Sequence, residues 1–189
     1  MYQKEFLHLL SLPLASNKKI QLFKRSCFKH IGKYLSMNAR AHISFAKFID
    51  DVDEQTGVPK LLDSYHEIYQ QIFLRVPPPV IKLQGFGYFE HGPNYRTIYA
   101  AIVMDEKTTT WFDFVKQIFS IGNDFNPHVT IARRISTADF NKLWPFFERI
   151  QFEDSFQIDF LTVLAKKAND KELNYQLYKQ IPFAGQYSA

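Results

Sequence analysis

The stretch PHVTIARR, residues Pro127–Arg134, has a close counterpart earlier in the chain: AHISFAKF, residues Ala41–Phe48. In both stretches a histidine is followed by a β-branched apolar residue, a hydroxyl residue, an apolar residue, alanine and a basic residue, in that order. None of the other histidines is followed two positions later by serine or threonine. We therefore interpret the two stretches as one half-site carried twice, not as an accidental match.

Both stretches alternate and are rich in β-forming residues, so each is predicted to be a strand. Because side chains of a strand alternate between its faces, the histidine, hydroxyl residue and alanine of each stretch should share one face. These residues are His42, Ser44 and Ala46 in the first stretch and His128, Thr130 and Ala132 in the second. The same alternation puts Arg134 on the histidine face. It puts Lys47 and Arg133 on the opposite face unless the strands are bulged.

The remaining pattern predicts strands and helices that alternate in both halves of the chain. Residues 5–13 are predicted to be a strand, and Asn17 is predicted to cap the basic helix that follows. Pro77–Pro79 should end the second helix and mark the seam between the halves. His91–Asn94 joins two strands as a hairpin, and Phe156–Lys167 is predicted to be one strand. The fold class is therefore α/β (α+β), with largely antiparallel sheets.

The bulk composition indicates one soluble domain over residues 1–189, with 46% hydrophobic and 22% charged residues. Its single cysteine, Cys27, fits a reducing compartment and should be a buried, inert thiol. The apolar N-terminal stretch is interrupted by His8 and Ser11, so it is interpreted as a strand, not a signal peptide. With no membrane-spanning run, we expect a cytoplasmic monomer without membrane association.

The net charge of +4 and a pI near 9.0 permit a polyanionic partner without requiring one. Several cations of the basic helix fall within a narrow arc opposite its apolar stripe: Lys18, Arg25, Lys29 and Lys33. Two interpretations stay open for this arc, a solvated helix face and a stripe that faces phosphates.

Two histidines that face each other across a cleft suit acid–base catalysis of phosphodiester cleavage. One neutral imidazole would remove a proton from the nucleophile while one imidazolium protonates the leaving oxygen, and a pKa near 6.5 lets both forms coexist. The hydroxyls of Ser44 and Thr130 could donate to phosphate oxygens. A zinc site would need more ligands at suitable spacing, so no metal and no cofactor are predicted.

The motifs HISF and HVTI resemble the two His-x-Thr/Ser-x (HxTx) motifs of the 2H phosphoesterase superfamily, and within it the 2′-5′ RNA ligase-like (LigT-like) group. FLHLLSLP is similar to that family's opening strand, and GFGYF with RTIYAAI to its glycine-containing strand pair. The resemblance covers nearly the whole chain. It implies two pseudo-symmetric lobes with mainly antiparallel sheets that flank a V-shaped active-site cleft.

The resemblance also implies an activity in RNA processing. Members of the family open 2′,3′-cyclic phosphates to 2′-phosphates, or make and break 2′-5′ linkages, without a metal or nucleotide cofactor. His42 and His128 would be the acid and the base, with the assignment open, and Ser44 stands where threonine is commoner. The predicted partner is RNA or a nucleotide 2′,3′-cyclic phosphate. The alternatives are an RNA- or nucleotide-binding module with little turnover, and a 2H enzyme for a phosphodiester outside RNA.

Further side chains are candidates for substrate binding. Arg133 and Arg134 are predicted to bind phosphate, although each could be a solvated arginine at the rim. Aromatic rings could stack on a nucleobase, and the candidates are Phe86 and Tyr88, with Tyr95 and Tyr99. His8 is expected to be a core residue.

Overall fold

The computed structural model describes residues 2–76, 79–168 and 175–183. The first half of these residues forms β1 (Tyr2–Ser11), α1 (Leu14–Ile31), β2 (His42–Val52) and α2 (Leu62–Phe73). The second half begins with β3 (Val80–His91), β4 (Tyr95–Ile102), α3 (Glu106–Phe119), β5 (His128–Ser136) and α4 (Thr137–Phe147). The chain continues with β6 (Glu153–Gln157), β7 (Phe160–Lys167) and β8 (Gln176–Pro182).

The strands form two four-stranded sheets, and every strand pair in them is antiparallel. The first sheet has the order β2-β1-β7-β8 and the second has the order β5-β4-β3-β6. The two motif strands, β2 and β5, are therefore edge strands, and they contact each other. The predicted fold class, two lobes with antiparallel sheets around a cleft, is confirmed.

The two lobes do not follow the two halves of the chain. Phe23 of α1 packs against Phe86 of β3 and Phe147 of α4, in the second lobe. Phe119 of α3 packs against Phe45 of β2, in the first lobe. One core cluster of buried side chains includes residues of both sheets. The seam predicted at Pro77–Pro79 falls partly on Pro77 and Pro78, which lie outside the described residues, and the single domain over 1–189 stays a prediction.

Two sequence predictions about element boundaries were wrong. Helix α1 begins at Leu14 after Pro13, and the side-chain Oδ1 of Asn17 accepts a hydrogen bond from the Ala41 N–H (2.8 Å) in place of capping the helix. The predicted strand Phe156–Lys167 is divided between β6 and β7, because the chain crosses from the second sheet to the first at Ile158, which is buried. None of the helices in the described ranges has both the length and the apolar character that a bilayer crossing requires.

Candidate active site

His42 and His128 begin the two adjacent edge strands, and each imidazole is held in the same way. The Nδ1 of His42 lies 2.8 Å from the carbonyl oxygen of Arg40, and that of His128 lies 2.8 Å from the carbonyl oxygen of Asn126. A carbonyl can only accept, so each Nδ1 carries the proton and donates it. The free nitrogen of both rings is therefore Nε2, which is the nitrogen that can take up or release a proton.

Each motif strand carries a β-bulge at the fourth position of its motif. In β2, Ser44 is opposite Leu9 and Ala46 is opposite His8, so Phe45 is the extra residue. In β5, Thr130 is opposite Tyr99 and Ala132 is opposite Ile98, which makes Ile131 the extra residue. The local repeat of the sequence is thus also a repeat of an irregular backbone feature.

The bulge reverses the side-chain alternation for the rest of β2; in β5 it does so only as far as a second register shift, which lies between Ala132 and Ile135. His42, Ser44 and Lys47 pair with Ser11, Leu9 and Leu7, which share one face of β1. Lys47 therefore lies on the histidine face. Ala46 and Ala132 turn to the opposite face and are buried. The predicted placement of the two alanines beside the histidines was wrong, because the strict period of two ends at the bulge.

The two arginines of the second motif lie in different surroundings. The Arg133 charge is one of the influences that lower the pKa of both His42 and His128, and its backbone N–H donates to the Ser36 hydroxyl (3.0 Å). Arg134 has a left-handed backbone conformation (φ 49°), and its guanidinium carbon lies 5.3 Å from the centre of the Tyr95 ring. The bulge at Ile131 gives Arg133 the parity of the histidine face, opposite to the prediction from simple alternation.

A cavity of about 380 Å³ lies between the two motif strands. Its lining includes Ser44 and Lys47 of β2, His128 of β5 and Phe89 of β3. Thr130 pairs with Tyr99 of β4, and its side chain lies on the same face of β5 as that of His128. Of the residues that the two motifs offer for chemistry, Ser44 and His128 therefore line this cavity directly, and His42 and Thr130 share their strand faces.

The environment favours the neutral form of both imidazoles. Burial is the main influence that lowers the pKa of His42, the Arg40 carbonyl opposes it, and the charges of Lys24, His128 and Arg133 add to it. Burial and the Arg133 charge likewise lower the pKa of His128, against the Asn126 carbonyl. Since the added charges are positive, a bound anion would favour the protonated form again.

The aromatic residues predicted to stack on a base lie elsewhere. The ring of Phe86 packs against Phe23, Phe147 and Phe152, between α1, α4 and the second sheet. The ring of Tyr88 packs against Phe140 and Trp144 of α4. The structure therefore brings neither Phe86 nor Tyr88 to the two histidines, because the β3–β4 register puts them on the helix-covered face.

Phe89 and Tyr99 are two aromatic residues whose rings contact the imidazole of His128. Their rings stack with centres 4.4 Å apart, and they lie 4.9 Å and 5.3 Å from the imidazole of His128. The ring of Tyr99 lies over Gly87, its partner on β3. An added Cβ at Gly87 would come within 2.6 Å of this ring. Gly87 is therefore required for the close approach of Tyr99. Sequence analysis considered Tyr99 and missed Phe89, whose strand face depends on the pairing with β4.

Glu5, which is bonded to Tyr175, pairs with the cavity residue Lys47, although no sequence signal pointed to this cluster. Both oxygens of the Glu5 carboxylate are engaged: one accepts from the Tyr175 hydroxyl and the other lies 2.9 Å from Lys47 Nζ. Burial raises the pKa of Glu5, but the hydrogen bonds from Tyr175 and Lys47 outweigh it and leave that pKa below its usual value. The charge of Lys47 is thus compensated by a carboxylate.

Within the described ranges, no three side chains of the types His, Cys, Asp and Glu come together in a way that could hold a metal ion.

Two antiparallel lobes with one histidine on each facing edge strand define a class of two-histidine proteins with pseudo-symmetric half-sites. A family model described as the 2′-5′ RNA ligase superfamily matches residues 12–170, and the chain belongs to this family. The predicted family membership is confirmed. No curated protein sequence matches the chain.

Solved structures share the fold at low sequence identity. The structure of TT0787 from Thermus thermophilus is 14% identical, with a TM-score of 0.62 over 97% of this chain and 100% of that chain. The apo structure of E. coli LigT is 13% identical, with a TM-score of 0.59 over 97% and 99%. E. coli LigT complexed with 3′-AMP is 12% identical, with a TM-score of 0.55 over the same shares.

Proposed function

We propose that this protein is a phosphoesterase that opens 2′,3′-cyclic phosphate ends of RNA or nucleotides to 2′-phosphates, or cleaves and forms 2′-5′ linkages. The observation that carries the proposal is the matched pair of imidazoles, each with Nδ1 bonded to a carbonyl and Nε2 free. Two such nitrogens supply the general base and the general acid that a phosphodiester substitution needs.

In hydrolysis, the neutral imidazole takes a proton from water through Nε2 while the water oxygen attacks phosphorus. The protonated imidazole gives its Nε2 proton to the 3′ oxygen as the P–O3′ bond breaks, and the phosphate stays on the 2′ oxygen. With the 3′ hydroxyl as nucleophile and the 5′ oxygen as leaving group, the same two proton transfers cleave a 2′-5′ linkage. The reverse of that reaction is ligation.

Arg133, Ser44 and Thr130 are proposed to bind the phosphate. Arg133 carries a permanent charge that acts on the pKa of both imidazoles, and no carboxylate pairs with it among residues 2–76, 79–168 and 175–183. The hydroxyls of Ser44 and Thr130 lie on the histidine face and can donate to the non-bridging oxygens. A phosphate contact by Arg134 stays a prediction.

The stacked pair of Phe89 and Tyr99 beside His128 favours a substrate that carries a nucleobase. The solved complexes of E. coli LigT with 3′-AMP and with phosphate agree with this substrate class. The proposed reaction uses no metal or cofactor, and its proposed setting is a cytoplasmic monomer.

Hydrolysis of the four nucleoside 2′,3′-cyclic monophosphates in EDTA tests the proposal. Wild type should form the 2′-phosphate, and His42→Ala and His128→Ala should each lower kcat by roughly 10²- to 10⁴-fold, because each removes one proton-transfer group. His30→Ala, in the exposed last turn of α1, is the matched control. Turnover that survives both substitutions would refute the two-histidine mechanism. Binding without turnover in wild type would support the alternative, a nucleotide-binding module.

A further inference from the structure

Lys24 is a buried lysine on α1 that the mechanism above does not use. Its side chain is 1% exposed, and its Nζ donates to the carbonyl oxygens of Ser36 and Ala39, both at 2.9 Å. Within the described ranges no carboxylate forms an ion pair with it. A buried ammonium without a counter-charge costs folding free energy. Its two carbonyl partners lie in the loop of residues 32–41, which connects α1 to the first motif.

The middle of this loop is attached to the second motif through Ser36. Ser36 is buried, and its hydroxyl donates to the carbonyl of Ile131 (3.1 Å) while it accepts from the backbone N–H of Arg133 (3.0 Å). Ile131 is the extra residue of the β5 bulge. Ser36 therefore occupies the open edge of β5 at the bulge that precedes Arg133.

The C-terminal end of the loop holds the first motif. Ala39 directly precedes Arg40, whose carbonyl accepts from His42 Nδ1, and its own carbonyl also accepts from the side chain of Gln21 (2.9 Å). The backbone N–H of Ala41, which follows Arg40, donates a hydrogen bond to the side chain of Asn17. A single ammonium thus connects the backbone that orients His42 with the serine that fixes Arg133.

We propose that Lys24 is a positioning residue of the site: its ammonium holds the loop of residues 32–41 so that His42 and Arg133 keep their mutual geometry. This inference rests on the proposed function. Lys24 does not contact the substrate in this role, and its effect is transmitted through Ser36 and Ala39.

The charge of Lys24 adds an electrostatic effect. The charged groups that act on His42 are Lys24 of α1 and His128 and Arg133 of β5, and each lowers the pKa of His42. Around Lys24 itself, burial lowers its pKa to about 8, against a smaller opposite influence of Cys27. Lys24 is therefore mostly protonated at neutral pH and contributes positive potential where an anionic phosphate would bind.

The test compares Lys24→Met with Lys29→Met, an exposed lysine on the same helix, by NMR titration of the imidazoles and by calorimetric titration with inorganic phosphate. Lys24→Met should raise the pKa of His42 and weaken phosphate binding by roughly tenfold or more, since small displacements of binding groups have large effects. Lys29→Met should change neither. An unchanged His42 titration together with unchanged phosphate binding in folded Lys24→Met would overturn the proposal.

Ser36→Ala tests the loop connection without removal of the charge. It should weaken phosphate binding, because Arg133 loses its backbone anchor, and leave the His42 titration close to that of wild type. Phosphate binding equal to wild type in Ser36→Ala would also overturn the proposal, even where Lys24→Met fails to fold. These measurements need no turnover. A wild type that hydrolyses no cyclic phosphate would therefore refute the proposed function and leave the role of Lys24 separately measurable.

Discussion

The two motif strands form half-sites that are alike in backbone and different in surroundings. In half-site 1, on β2, and half-site 2, on β5, the histidine is the first strand residue and donates from Nδ1 to the carbonyl two positions earlier. The bulge falls at the same motif position in both. The local sequence repeat therefore sets the position of each imidazole.

The neighbours of the half-sites differ. Lys47 of half-site 1 is paired with Glu5, whereas no carboxylate in the described ranges pairs with Arg133, its counterpart in half-site 2. Phe89 and Tyr99 lie beside His128 only. Under the proposed function, we therefore expect half-site 2 to bind the phosphate and the base, and half-site 1 to contribute mainly its histidine and hydroxyl.

The strongest test of this difference compares Arg133→Ala with Lys47→Ala. Arg133→Ala should lower kcat/KM for a nucleoside 2′,3′-cyclic phosphate by about 100-fold, as expected for loss of a charge-assisted bond to phosphate. Lys47→Ala should lower it by about threefold or less, because Glu5 already compensates that charge. Steady-state kinetics measures both values, and an equal or larger loss for Lys47→Ala would contradict the assigned asymmetry.

The alanines of the two motifs have different partners, and this difference predicts acid sensitivity. Ala132 is opposite Ile98, but Ala46 is opposite His8, whose Nε2 lies 3.0 Å from that of the equally buried His66. Burial lowers the pKa of His8 to about 3 and that of His66 to about 4. Both folded-state values lie below the unfolded value of about 6.5.

The stability that these neutral histidines contribute is thus fully present above pH 6.5 and is lost as the pH falls toward 4, because only the unfolded state binds the protons. Urea unfolding should show a free energy of unfolding at least about 2 kcal/mol lower at pH 5 than at pH 7.5. The double variant His8→Ile with His66→Leu removes both buried imidazoles and places an isoleucine opposite Ala46, as Ile98 is opposite Ala132. It should reduce the pH dependence of the free energy of unfolding. An equally steep dependence in the double variant would assign the acid sensitivity to other groups.

The hydroxyls are expected to be more nearly equivalent than the cations. Ser44→Ala and Thr130→Ala should each lower kcat/KM by about tenfold, since each removes one hydrogen bond to an anionic oxygen. Thr130→Ser should retain most activity, because half-site 1 already uses serine at this position. A loss for Thr130→Ser as large as that for Thr130→Ala would mean that the threonine methyl, not the hydroxyl, matters.

The smallest expected effect concerns the aromatic pair. Phe89→Leu should raise KM for nucleoside 2′,3′-cyclic phosphates by about fivefold, because it removes a stacking surface. A cyclic phosphate without a base should be turned over equally well by both proteins. The matched control is Tyr88→Leu, which alters a ring on the other face of β3. A larger increase in KM for Tyr88→Leu than for Phe89→Leu would instead support base stacking on Tyr88, as predicted from sequence.

Prediction from sequence succeeded where the signal is local. The strands that carry the two histidines and their hydroxyl neighbours follow from a repeated pattern and from β propensity. The alternation rule failed beyond Phe45 and Ile131, because a bulge depends on the register with β1 and β4. The same dependence explains why Phe86 and Tyr88 were chosen in place of Phe89.

The sequence by itself determined the duplicated motif, the antiparallel α/β class and the family to which the chain belongs, because these depend on residues close together in the chain. Only the tertiary structure decided that a bulge gives Arg133 the parity of the histidine face while Arg134 lies over the Tyr95 ring, that Glu5 pairs with Lys47, and that Lys24 connects the two half-sites through Ser36. Each of these features joins residues distant in sequence. Strand pairing and loop packing set their distances, and no local periodicity encodes them.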